Sequence, residues 1–128
     1  MTSQEAFNKV WDWFVVKKNA ASVTYVVGIE VNCAYRGENN TKCAVGIFIP
    51  DEMYDPRIEG MSYRLLFDNR PDIACLFSGL TDRFICQLQM AHDEAAVKTA
   101  CNPEGFTYEI ERHLRGLASA WELRIPEE

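Results

Sequence analysis

The chain has 128 residues, 48% of them apolar and 25% charged, with a formal net charge of −6 and a pI of about 4.9. That suits one domain over residues 1–128, long enough to bury its own core without metal or disulfide staples. No apolar run reaches the roughly 18–20 residues of a membrane span, and no basic patch fits a nucleic acid: Lys17 with Lys18, and Arg112 with Arg115, are too small.

The N-terminal residues lack the basic start and apolar centre of a signal peptide, so the cytoplasm is the expected compartment. Residues 1–64 carry 8 acids and 7 bases, residues 65–128 carry 11 and 6, so the acidity sits in the second half. A basic partner protein, or plain solubility, accounts for it.

"TSQEAFNKVWDWFVVKK" reads as a helix. Thr2 and Glu5 have capping-box spacing, and Phe7, Val10, Trp11 and Phe14 share one face. Trp13 lies off that stripe and is free to cover a neighbour or a partner. Residues 23–27 and 30–36 are dense in β-branched residues and read as two strands with a bend at Gly28. "GENN" is a turn, and "TKCAVGIFIP" reads as a returning strand that can turn helical after Val45. Cys33 and Cys43 then face each other or sit diagonally across a hairpin, depending on turn length.

"PDEMYDPRIEG" is a polar connector with four acids against Arg57. It lacks the residue order of a calcium loop, and reads as solvated chain whose Met53 and Tyr54 suit a contact surface. Two short helices follow, split at 69–71, with Ser62 capping the first and Gly79 ending the second. Thr81 caps the longest helix, with Phe84, Ile85, Leu88, Ala91, His92 and Ala95 in one stripe. Phe106, Ile110, His113, Leu114, Leu117 and Trp121 make another, where Gly116 suggests close helix packing.

Chemistry has few candidates. The five cysteines lack any C-x-x-C spacing and read as buried free thiols, with a Cys33–Cys43 redox pair or a metal pair as alternatives. His92 next to Asp93 suggests acid–base work, but neighbouring helix residues diverge by about 100°, so a half-buried structural histidine is the simpler reading. A triad of Cys33 or Cys43 with His92 or His113 requires the fold to assemble it. Phosphate-loop, dinucleotide and nucleophile-elbow motifs are absent, and no cofactor is expected.

The stretch "CAYRGENNTKCAVGIFIPDEMYDPRIEG", with a later "LQMAHD", resembles a group of small proteins encoded by bacteria, prophages and phages. Their signature runs approximately C-x-Y-R-G, K-C-A-V-G, I-P-D-E-x-Y-x-P-x-x-E-G. The match is close over residues 33–60 and loose over 1–120. It departs at Ile47 and Phe48, where a small residue often stands, and in the Val/Ile-rich stretch before Cys33. The resemblance transfers no catalytic residue. It implies an accessory protein that acts by stoichiometric binding to a host machine.

The expectation is an α+β domain with an N-terminal helix, a small antiparallel hairpin or sheet, and a helical C-terminal half. Its function is expected to be non-enzymatic: binding a bacterial host protein or defence complex, as a phage-encoded inhibitor would, with no direct contact to nucleic acid or membrane. The expected contact residues are Arg36, Asp51, Glu52, Met53, Tyr54, Asp55 and Glu59. A small Cys/His-dependent enzyme and an acidic DNA mimic are the alternatives. A homodimer through strand pairing stays open, with Trp13 and the β-rich segment as its means.

Overall fold

The structure, a computed structural model, describes residues 1–25 and 31–126. Its architecture is α+β: an N-terminal helix, one two-stranded antiparallel sheet and a helical C-terminal half.

Helix α1 (Ser3–Trp11) opens on the expected capping box, with Glu5 N–H donating to Thr2 Oγ1 and Thr2 N–H to Glu5 Oε1. It continues into one wider turn, Asp12–Val16, where Lys17 N–H bonds Asp12 O, five residues back. Phe7, Val10, Trp11 and Phe14 are all buried. Each such side chain contributes roughly 1.5–3 kcal/mol by leaving water. Trp13 covers a neighbour: the Lys42 ammonium sits 5.5 Å from its ring centroid.

Strands β1 (Val23–Tyr25) and β2 (Val31–Cys33) pair antiparallel, with Val23 opposite Cys33. The Gly28 bend, and the strand ends within residues 26–30, lie outside the described residues. The hairpin around "GENN" is reduced to one bridge, Arg36 with Lys42, across a loop in which Asn39 and Asn40 take positive φ. Cys43 therefore does not pair with Cys33.

The returning strand does not form, although the helical turn expected after Val45 does, as one 3₁₀ turn at Gly46–Phe48. Its backbone donors go elsewhere. Val45 N–H reaches the Gln89 carboxamide oxygen at 2.9 Å, Gly46 N–H the Cys43 sulfur at 3.3 Å, and the next three close local turns. Residues 43–49 are buried throughout. Gly46 is needed there because an added Cβ would lie 2.2 Å from Tyr35 O.

The second half holds α2 (Tyr63–Asn69), α3 (Pro71–Ala74), α4 (Asp82–Lys98) and α5 (Phe106–Ala120). Ser62 and Thr81 cap α2 and α4 through side-chain oxygens, as their positions predict. Gly79 stops the chain at φ +95°. The whole α4 stripe from Phe84 to Ala95 is buried, and α5 packs against it through Phe106, Ile110, Leu114 and Leu117. His113 is only half-buried, near the Glu94 and Glu109 carboxylates. Gly116 is exposed with open space above it, so no close helix packing explains it. No helix among the described residues is long and apolar enough to cross a membrane.

Candidate functional site

A cavity of about 830 Å³ opens between β2 and its continuation, the turn at Glu59–Tyr63, and the outward face of α4. That volume lies in the range of small-ligand sites. Cys33, Tyr35 and Arg36 form one wall, Glu59 and Met61 a second, and Gln89, Met90 and Asp93 a third.

The α4 wall is held by two chains of bonds that start on the backbone. Ser22 N–H can only donate, and it points at His92 Nε2 at 3.0 Å. Nε2 must accept, so Nδ1 carries the proton and donates to Asp93 Oδ1 at 2.8 Å. In the second chain Val45 N–H fixes Gln89 Oε1 as acceptor, which turns the Gln89 amide nitrogen toward Asp93 Oδ1, also at 2.8 Å. Two backbone amides thus aim one carboxylate through two side chains. His92 is fully buried, while the Asp93 side chain keeps 38% of its surface open. The 100° step between them lets this pair reach from core to cavity, and it does not prevent their contact. The expected half-buried histidine is instead wholly interior, between Phe14 and Phe106.

The Cys33 sulfur, a His92 ring nitrogen and an Asp93 oxygen lie within 4.8 Å of one another. This set resembles a metal centre in composition but not in bonding. Both His92 nitrogens are engaged, and a metal on Nδ1 would need the tautomer whose Nε2–H collides with Ser22 N–H. Burial, and then the Asp93 carboxylate beside it, push the Cys33 thiol well above its usual range. It stays an S–H group, which is a poor nucleophile. Full burial pushes Cys43 up to about 12.

The cysteines correct the expectation of buried thiols. All five are free, but only Cys43 is buried; Cys33 and Cys86 are half-buried, and Cys75 and Cys101 are exposed.

The expected contact residues divide between clamp and surface. Glu59 accepts from Tyr35 N–H at 2.9 Å, Arg36 N–H at 3.0 Å and Tyr54 O–H at 2.6 Å. Arg36 is 17% exposed and donates to Asp51 and to Ile49 O, both at 2.6 Å, with its guanidinium over the Tyr54 ring. Burial, then Glu59, push the Tyr54 phenol up to about 12. These residues fix the cavity wall, and the connector is far less loose than its composition suggests. Asp51, at 83% exposed, and Glu52 face outward. Met53 and Asp55 are half-buried beside them, and Arg57 holds the Asp55 carboxyl down at about 2. Only Arg36 and Glu59 of the seven line the cavity.

Cys33, Gln89 and Asp93 complete the site. The signal for Gln89 and Asp93 was present in "LQMAHD", since the two are one helical turn apart. The sequence offers Cys33 as a partner for His92, but spacing could not supply its placement beside Asp93 or the two backbone donors. No protein-family model, curated protein or solved structure matches this chain.

Proposed function

We propose that the chain is a cytoplasmic, non-catalytic accessory protein that binds a bacterial host or defence protein, in the manner of a phage-encoded inhibitor. The observation that carries this reading is the fixed acidic cavity beside an outward acidic rim of Asp51 and Glu52. A preorganised wall loses little side-chain freedom when a partner arrives, which favours tight binding. The partner class comes from the resemblance of residues 33–60.

The same geometry weighs against the thiol–histidine enzyme. Neither His92 nitrogen is left to take a substrate proton, and Cys33 lies next to a carboxylate that disfavours its thiolate.

The test is co-purification from the bacterial host with tagged parent chain and a D51K/E52K variant. One protein at fixed stoichiometry with the parent, lost with the charge-reversed variant, is the expected result. Absence of any stoichiometric partner overturns the reading.

A further inference from the structure

Among the described residues, the charges lining the cavity are Asp93, Glu59 and Arg36. Glu59 is fully engaged: Oε1 holds one backbone N–H, and Oε2 holds another together with a phenol. Arg36 donates to Asp51 and to Ile49 O. Asp93 differs. Its Oδ1 takes both the His92 and Gln89 donors, and among the described residues the one further donor beside the carboxylate is the weak Cys33 S–H, so no N–H or O–H reaches Oδ2. Among the described residues the cavity therefore offers one aimed, half-exposed carboxylate oxygen and a negative net lining.

We propose that Asp93 receives the ammonium of a lysine side chain presented by the bound partner. Three observations select this occupant. The sign is set by the lining. The head group is set by geometry: a guanidinium prefers a two-oxygen fork, whereas a single open oxygen suits the compact point charge of an ammonium. The stem is matched by Met61, Met90 and the tyrosine walls, which present soft apolar surface to four methylenes. The fixed orientation from Ser22 and Val45 means the carboxylate need not reorganise on binding.

This inference rests on the binding reading above, yet the two fail separately. The probe is Nα-acetyl-lysine methylamide, titrated into ¹⁵N-labelled full chain and followed at the amides of α4 and residues 33–36. The lysine probe should shift those signals saturably. Its Nε-acetylated form should bind at least about tenfold more weakly, because a charge-assisted hydrogen bond is lost. The corresponding arginine derivative should also bind more weakly.

The D93N variant should show the same tenfold loss, while its amide oxygen can still accept from His92 and Gln89. The acetylated probe on the parent chain decides the matter even if that variant folds poorly. Equal binding of acetylated and free lysine, tighter binding of arginine, or unchanged binding to D93N overturns the proposal. A stoichiometric partner captured equally by parent and D93N also removes the lysine assignment and leaves the host-protein reading standing. Asp93-dependent probe binding with no partner recovered does the reverse.

Discussion

In α4 and α5 the backbone N–H groups beyond the first turn bond the carbonyl one turn back, and the side chains need only supply a cap and an apolar stripe. In residues 33–60 some backbone donors close local turns and others turn to side chains: Tyr35 and Arg36 to Glu59, Val45 to Gln89, Gly46 to Cys43. Both regions bury apolar side chains thoroughly. They differ in what breaks them. A helix tolerates a changed polar side chain because its backbone is satisfied internally. The irregular segment loses its backbone partners when one side chain goes, and buried unpaired N–H groups are costly.

The largest break is expected at Gly46. An added Cβ meets Tyr35 O at 2.2 Å, and that oxygen belongs to backbone already fixed by Glu59 and by the bridge at Arg36. Gly46→Ala should lower the unfolding free energy by about 3 kcal/mol through overpacking. Urea denaturation measures it. A loss below about 1 kcal/mol would show that residues 33–60 yield as easily as surface chain, contrary to the contrast drawn above.

Glu59→Ala comes next. It strands two backbone N–H groups and the Tyr54 hydroxyl together. A loss of roughly 2–3 kcal/mol follows from unsatisfied donors. Its counterpart in the helical half is Glu109, whose partners Lys98 and Arg112 are more than half exposed. The Glu109 side chain is itself only 12% exposed, but among the described residues no backbone N–H depends on it, so its removal should cost distinctly less. Matched Glu59→Ala and Glu109→Ala denaturation curves test the ordering, and a larger effect at Glu109 would reverse it.

The same contrast explains what the sequence discloses. Thr2 with Glu5, Ser62 and Thr81 act within one turn of themselves, so their capping roles can be read locally. The α4 stripe is equally plain because its helical period is written in consecutive residues. Glu59 looks like another solvated acid, since its three donors lie in other segments or depend on how the connector folds back. Residues 43–49 look like a strand because an apolar run does not record where its N–H groups will go; the decisive acceptor, Gln89, is 44 positions away. Asp93 is visible as a residue, but its aim depends on Ser22, 70 positions from His92.

A smaller and graded effect separates the thiols. Cys75 and Cys101 are exposed on the helical half and should react quickly with a disulfide reagent at neutral pH. Cys43 should react only on unfolding, and Cys33 far more slowly than the exposed pair. The pH dependence has a fixed sign. Cys43 ionises near 9 when unfolded and near 12 when folded, so the native state holds its proton longer. Its contribution to stability is intact below about pH 9 and fades as the pH rises toward 12. A melting temperature that rises over that interval would contradict the burial of this sulfur.

The smallest effect is at Gly116, and it has the opposite sign to Gly46. Gly116 lies inside α5, exposed, with nothing within 4 Å of a built Cβ and no positive φ. A helix interior glycine leaves the unfolded chain more freedom and shields its own backbone less than alanine does. Gly116→Ala should therefore stabilise the fold by about 0.5–1 kcal/mol. The substitution adds one methyl group in each case, so the difference between the two glycines isolates their surroundings: solvent at one, a fixed carbonyl at the other. A destabilised Gly116→Ala chain would mean that something covers this face of α5, and a concentration-dependent midpoint in the same experiment would identify a second copy as the cover.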